Sequence, residues 1–176
     1  EPVPVTGMPY DMGRNKCGEF LLGSTAQYLF FLDSDVIPPP DAIYRLLSHN
    51  QPVMSGMYCR RSPPASVPVM MKNGTWLTNF KQGSVVEVDV VGAGCLLVHR
   101  SVYQSLPPQR PGYHWYDWRV NMQGVLPPHE CLSEDFTLCT HLRKHGYKVL
   151  IATSVRCKHV GLAESDFGVF GPVGST

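Results

Sequence analysis

The chain has 176 residues, of which 43% are hydrophobic and 16% are charged, so it is suited to one globular domain and is not disordered. Its net charge of +1 gives no electrostatic reason to expect nucleic acid or an acidic membrane surface as a partner. No apolar run approaches the roughly 18 residues of a membrane span, and we expect a cytoplasmic protein with reduced cysteines.

Predicted strands and helices alternate along the chain, which is typical of an α/β fold. Continuous apolar runs between turn residues indicate the strands, and apolar residues at helical spacing indicate the helices. In chain order the predicted elements are an extended lead-in at 1–13, a helix at 14–24, a strand at 28–32, a helix at 41–49, a strand at 53–58, a loop at 60–65, a strand at 67–71, a strand at 85–91 that continues at 95–98, a short helix at 101–105, an irregular loop at 107–131, a helix at 134–144, a strand at 147–152 and a flexible tail at 161–176. We therefore expect a single domain over residues 1–176.

The most informative stretch is Tyr-Leu-Phe-Phe-Leu-Asp-Ser-Asp-Val at residues 28–36. The apolar run predicts a strand buried on both faces, and Asp33 and Asp35 follow at its carboxyl end, where open α/β sheets bind ligands. Asp is rarely buried without a partner, and a divalent cation with phosphate oxygens is a suitable partner for such a pair. A solvated acidic turn is the alternative, because Asp-x-Asp alone is a common pattern.

Two further sets of residues carry side chains suited to catalysis or metal binding. Glu134 and Asp135 begin a predicted helix, where they either complement the helix dipole or place one carboxylate in a cleft as a general base. His159 follows the last predicted strand, as Asp33 and Asp35 follow theirs, and imidazole together with carboxylates suits Mn²⁺. A surface or core histidine is the alternative for His159.

Two other stretches are candidates for ligand contact. Gly92, Ala93 and Gly94 lie between apolar runs, where glycines mark either close approach by a ligand or a structural bulge. The run His-Trp-Tyr-Asp-Trp at residues 114–118 lies in the irregular loop. Its rings are suited to stacking on a sugar or nucleobase, and a loop packed by its own aromatic residues is the competing interpretation.

The order of these motifs resembles a GT-A type glycosyltransferase and is most similar to the inverting, family-2-like branch. The resemblance rests on Arg14-Asn15, a strand ending in Asp-x-Asp, Gly-Ala-Gly, Glu-Asp at a helix start and a late histidine, over about residues 12–162. It implies a mixed, mainly parallel sheet flanked by helices, with Mn²⁺ or Mg²⁺ as cofactor. It also implies transfer of a sugar from a nucleotide-sugar donor to an acceptor hydroxyl with inversion. Because Arg14 lies so near the start of the sequence, the family's N-terminal nucleobase-binding unit is expected to be absent or reduced.

The resemblance implies roles for individual residues. Asp35 would bind the metal directly, Asp33 would contact the ribose or a metal-bound water, and His159 would be a further metal ligand. Asp135 would take the proton of the acceptor hydroxyl, with Glu134 adjacent to it. The residues that would bind the donor are Arg14, Asn15, Ser34, Gly92, Ala93 and Gly94. The residues that would contact the carbohydrate or other hydroxyl acceptor are Trp115, Tyr116 and Trp118.

Two other functional classes are compatible with parts of the sequence. A non-catalytic carbohydrate- or nucleotide-binding module would bind the same ligands without transfer, and the short N-terminal segment favours it. A phosphatase of the haloacid-dehalogenase type also ends a buried strand in Asp-x-Asp, with the first Asp as nucleophile. That family prefers Thr or Val where this chain has Ile37, and it has a late acidic pair after a strand that this sequence lacks.

Overall fold

The structure is a computed structural model that describes residues 4–60, 67–109, 114–118 and 132–160. Most of the predicted loops at 60–65 and 107–131, and the whole tail at 161–176, lie outside these residues. The helices are α1 (Tyr10–Gly23), α2 (Ala42–Ser48), α3 (Arg100–Ser105) and α4 (Glu134–Lys144). The strands are β1 (Tyr28–Leu32), β2 (Val36–Ile37), β3 (Val53–Met57), β4 (Met70–Lys72), β5 (Thr75–Trp76), β6 (Val85–Val88), β7 (Val90–Val91), β8 (Cys95–His99), β9 (Val149–Arg156) and β10 (Lys158–His159).

The central sheet has five strands in the order β1-β8-β3-β9-β6. The pairs β1/β8, β3/β8 and β6/β9 are antiparallel, and only β3/β9 is parallel among the pairs in this sheet. The expected α/β fold with a mixed sheet is confirmed, but the expectation of a mainly parallel sheet is wrong. Both β3 and β8 are almost wholly buried. Continuous apolar runs therefore indicated strands that are buried on both faces, and antiparallel strands can also be buried in this way. Such runs contain no information on strand direction.

Two smaller sheets lie beside the central one, with the orders β10-β2 and β5-β4-β7. The single strand predicted at 85–91 is divided, because β6 belongs to the central sheet while β7 pairs with β4. Asp89 stands at the division, where its amide donates to the Met71 carbonyl and its carboxylate accepts from the Asn73 amide. Gly92, Ala93 and Gly94 form the turn between β7 and β8 and are not the interior of one strand.

The helix predicted at 14–24 begins earlier, at Tyr10, so the lead-in predicted at 1–13 is wrong in its last turn. Tyr10 and Met12 are apolar residues that are exposed on the solvent side of α1. Because they lie off the buried face, the apolar spacing in the sequence did not indicate a helix at this point. Two strand boundaries also differ from the prediction, since β4 is Met70–Lys72 and β9 is Val149–Arg156. Helix α4 has the predicted bounds.

Helices cover both faces of the central sheet, as expected. The larger hydrophobic cluster includes Leu21 of α1, Val102 of α3 and Leu138 of α4, and the smaller cluster includes Leu46 of α2. Among the helices that the structure describes, none has the length and hydrophobicity needed to cross a bilayer. The cysteines at 17, 59, 95, 139 and 157 are free thiols, and Cys131 lies outside the described residues.

Candidate functional site

The guanidinium of Arg14 joins two acidic motifs that are far apart in the sequence. Its Nη2 donates to Asp33 Oδ1 at 3.0 Å, and its Nε donates to Glu134 Oε1 at 3.1 Å. The side chains of Arg14 and Glu134 are 9% and 6% exposed, whereas that of Asp33 is 38% exposed. Burial lowers the pKa of Arg14, but the negative charge of Asp33, together with that of Glu134, raises it overall above its usual value. Arg14 is therefore a permanent cation inside the site.

Asp35 and His159 face each other across the β2/β10 pair. His159 lies opposite Val36 in the register, and its Nε2 is 3.5 Å from Asp35 Oδ2. The other ring nitrogen, Nδ1, lies 2.7 Å from the carbonyl oxygen of Cys59. A carbonyl can only accept, so Nδ1 carries the proton and Nε2 is directed at the carboxylate. Metal-binding histidines are commonly held in this way through the opposite ring nitrogen.

The turn Gly92–Gly94 connects these groups through its backbone. The Asp33 amide donates to the Gly94 carbonyl at 3.1 Å, and the Ala93 amide donates to Asp135 Oδ2 at 3.3 Å. The Gly94 amide donates to the hydroxyl of Tyr58 at 2.9 Å. The turn therefore lies between the end of β1 and the first turn of α4.

Tyr58 is a residue of the site that the sequence analysis missed. It follows β3 directly, and its ring stands edge-on to His159 with 5.4 Å between ring centroids. A Cβ added at Gly92 would lie 2.1 Å from the Tyr58 hydroxyl, and one at Gly94 would lie 2.9 Å from it. The glycines are thus required by close packing on Tyr58. The only signal in the sequence was a tyrosine at the end of a buried strand, which also describes ordinary core residues.

The two carboxylates at the start of α4 have different surroundings. Asp135 Oδ1 accepts from the Ser133 hydroxyl and from the Phe136 amide, and Oδ2 faces Ala93. Ser133 occupies the predicted N-cap position, but its hydroxyl donates to Asp135 and makes no capping bond to the backbone. Burial and the charge of Asp135 raise the pKa of Glu134, while Arg14 opposes the rise. Glu134 is therefore held in an ion pair with Arg14, and Asp135 is oriented toward the glycine turn.

Asn15 binds the aromatic segment and not the groups around Asp33. Its Oδ1 accepts from the amides of Trp115 and Tyr116 at 3.0 and 3.1 Å, and its Nδ2 donates to the Tyr116 carbonyl at 2.8 Å. Trp115 and Tyr116 are buried in the larger core, at 5% and 0% exposure. These contacts indicate a structural role for all three residues, and they do not favour the donor and acceptor contacts expected for them.

Trp118 differs from the other aromatic residues of this segment because 41% of it is exposed. Its ring stacks on that of Tyr10 with 6.0 Å between centroids and 28° between planes. Its backbone amide lies 3.4 Å from Asp11 Oδ2, which ties the segment to the start of α1. Of the three residues expected to contact an acceptor, only Trp118 has a surface on which one could stack.

Ser34, which was expected to bind the donor, is exposed in the turn between β1 and β2.

Comparisons with known proteins bear on the fold. No protein-family model and no curated protein matches the sequence. The crystal structure of A197 from STIV is similar to this chain, with a TM-score of 0.56 and 17% sequence identity, over 86% of this chain and 67% of that one. At this identity the likeness extends to the fold alone, so the chain shares a mixed α/β fold with A197.

Proposed function

We propose that the chain is a metal-dependent glycosyltransferase of the GT-A type, which transfers a sugar from a nucleotide-sugar donor to an acceptor hydroxyl with inversion. The observation that carries the proposal is the pairing of Arg14 with both Asp33 and Glu134. It brings the strand-end acids and the helix-start acids, whose roles the resemblance predicted independently, to one place. The glycine turn is hydrogen-bonded to Asp33, and His159 packs against Tyr58, whose hydroxyl contacts that turn.

The residues present fit a divalent cation bound together with a diphosphate. Among the residues that the structure describes, no group of three or more His, Cys, Asp or Glu side chains is arranged to hold a metal. Asp35 and His159 form a pair, with an oxygen and a nitrogen ligand facing each other. Mg²⁺ and similar ions in nucleotide enzymes are commonly held by one or two protein side chains plus substrate phosphates and water. A bound cation would supply stabilisation of the charge that develops on the departing diphosphate.

Arg14 determines which of the neighbouring carboxylates are left to bind a metal and to take a proton. It neutralises part of the charge of Asp33, which fits the expectation that Asp35 and not Asp33 is the direct ligand. It also holds Glu134, which leaves Asp135 as the carboxylate for an acceptor hydroxyl. A hydroxyl is a weak nucleophile at neutral pH and needs such a base. If Asp135 takes only the proton and forms no bond to the sugar, a single displacement inverts the anomeric carbon.

A thermal-shift screen of nucleotide sugars, with Mn²⁺ and with EDTA, tests the binding half of this proposal. A ligand that binds only the folded state at 100 times its Kd stabilises it by about 2.7 kcal/mol. We expect such a shift for at least one nucleotide sugar, only with Mn²⁺, and its loss in Asp35→Ala. The matched control is Asp41→Ala, because Asp41 is an exposed acid paired with Arg45 outside the site.

The outcomes separate the proposal from its alternatives. No shift with any nucleotide sugar, or an equal shift in Asp35→Ala, would contradict the metal site. A Mn²⁺-dependent shift without any transfer or donor hydrolysis would instead indicate a nucleotide-sugar-binding module.

A further inference from the structure

The hydroxyl of Tyr58 lies among the groups assigned to the donor, although the residue belongs to none of the motifs. Tyr58 is 6% exposed, and its oxygen is within contact of the backbone at both Gly92 and Gly94. Its ring packs against His159. The same glycine turn is hydrogen-bonded to Asp135 and to Asp33 through its backbone. The hydroxyl therefore lies against the glycine turn, while the ring of the same residue lies against His159.

Within the part of the chain that the structure describes, the hydroxyl of Tyr58 makes one hydrogen bond. Tyr58 accepts a hydrogen bond from the Gly94 amide, which occupies one lone pair of its oxygen. Among the described residues, none accepts the hydrogen bond that the phenol can donate. A phenol ordinarily loses its proton only at about pH 10, so this hydroxyl is a donor at neutral pH.

A buried donor commonly has a partner, because burying a polar group without one costs free energy. The buried tyrosine on α3 shows the contrast. Tyr103 is 2% exposed, and its hydroxyl is paired with that of Tyr116 at 3.2 Å, inside the core. Tyr58 is buried to a similar degree, but its hydroxyl lies beside the acids of the site.

We propose that Tyr58 is a donor-binding residue, whose hydroxyl is oriented by the Gly94 amide and donates a hydrogen bond to an oxygen of the bound nucleotide sugar. The inference rests on the proposed function and adds a residue to it. Two parts of the ligand carry suitable oxygens, the diphosphate and the sugar. The position of Tyr58 also explains why residues 92 and 94 are glycines, since a side chain at either position would displace the hydroxyl.

The experiment compares Tyr58→Phe with Tyr103→Phe by calorimetry in the presence of Mn²⁺. The probes are UDP-glucose, GDP-mannose and the free diphosphates UDP and GDP. Tyr58→Phe removes one oxygen and keeps the ring against His159, and Tyr103→Phe removes a buried hydroxyl from a hydrogen bond elsewhere in the core. Affinity is expressed per folded molecule, with the folded fraction taken from the thermal melt, so that a loss of stability alone changes nothing.

We expect Tyr58→Phe to bind its nucleotide sugar more weakly than the wild type, by about three- to tenfold for a bond to the neutral sugar and by more than about tenfold for a bond to the charged diphosphate. Tyr103→Phe should bind normally. A loss seen with the nucleotide sugar but not with the free diphosphate assigns the bond to the sugar, and an equal loss with both assigns it to the diphosphate. Wild-type affinity in Tyr58→Phe overturns the inference while leaving the proposed function intact. If neither these probes nor any nucleotide sugar of the thermal-shift screen binds the wild type, the proposed function fails, and the inference fails with it.

Discussion

At the scale of single residues, the central feature is a buried cation shared by two acids. Arg14 is nearly inaccessible, and its charge is balanced by Glu134 inside the protein and by Asp33 at its edge. The resemblance of the sequence to glycosyltransferases led us to expect Arg14 near the nucleotide. It gave no means of predicting the pairing, because residues 14, 33 and 134 are brought together only by the tertiary fold.

Replacing Arg14 by Met should destabilise the protein by about 3–5 kcal/mol at pH 7, because Glu134 is left as an uncompensated buried charge. Arg14 lowers the pKa of Glu134, so the variant raises this pKa further above its usual range. Between its unfolded and its raised folded pKa, the folded state binds more protons, so the stability contributed by Glu134 falls as the pH rises. The deficit of Arg14→Met should therefore be largest at neutral pH and shrink as the pH falls through this window.

Urea denaturation across this pH range measures that deficit. Arg45→Met is the matched control, because the Arg45–Asp41 pair is about half exposed and is expected to contribute at most about 1 kcal/mol. A deficit in Arg14→Met that is as small as the control's, or that does not change with pH, would contradict a buried ion pair with Glu134.

Trp118 is the expected acceptor residue whose ring is exposed, and its contact with an acceptor stays a prediction. Trp118→Ala should raise the acceptor KM by up to about tenfold, the factor that corresponds to the loss of an aromatic contact, and leave donor affinity unchanged. Tyr10→Ala should have the same effect, because the two rings form one stacked surface. Phe20→Ala is the control, since Phe20 is an exposed aromatic residue further along α1. A change in donor affinity with a normal acceptor KM would refute this assignment.

At the scale of elements, helix α4 was predicted with its bounds, and helix α1 was not. The sequence around α4 contains every local signal, with Ser133 before it, acids in the first turn and Gly146 after the last. The start of α1 lacks them, because Pro9 occupies the N-cap position and two exposed apolar residues follow. Elements with local start and stop signals were predictable, and those held by tertiary contacts were not.

Helix α4 orients Asp135 toward the glycine turn, and this leads to a test of the base. Asp135→Asn retains the shape and removes the basicity, so turnover should fall by about 10²- to 10⁴-fold while donor affinity survives. Single-turnover kinetics with saturating donor measure the chemical step separately from binding. Asp41→Asn serves as the control. Near-normal turnover in Asp135→Asn would remove this residue from the mechanism.

Helix α1 holds the aromatic segment through Asn15, which indicates a structural role. Asn15→Leu leaves two buried amides and one carbonyl without partners, so it should cost about 3 kcal/mol of stability and leave nucleotide affinity per folded molecule unchanged. Denaturation and calorimetry on the same sample measure both quantities. The exposed Asn79→Leu controls for added apolar surface. Normal stability with lost nucleotide affinity would instead restore the donor-binding role.

At the scale of the whole molecule, the sequence predicted the layers of helices and sheet better than the direction of the strands. The strand at 28–32 and the helices on both faces of the sheet are present. The expected burial of that strand on both faces is wrong, because β1 lies at the edge of the central sheet and Leu32 is 46% exposed. Strand direction depends on which strands become neighbours, and β1 pairs with β8, far along the chain. Only the resemblance led us to expect Asp33, Glu134 and the glycine turn near one another, and the pairing through Arg14 became visible only in the fold. Tyr58 belongs to no motif, so the sequence alone did not indicate it.

Proton NMR of the reaction as it proceeds gives the most direct test of sugar transfer, because the anomeric coupling constants of donor and product report both turnover and stereochemistry. The wild type, given the nucleotide sugar that stabilises it, Mn²⁺ and a hydroxyl acceptor, should convert an α-linked donor into a β-linked product. EDTA or Asp35→Ala should abolish the conversion. A product that keeps the donor's configuration, conversion that persists in EDTA, or no conversion of any donor that binds would contradict an inverting, metal-dependent transferase.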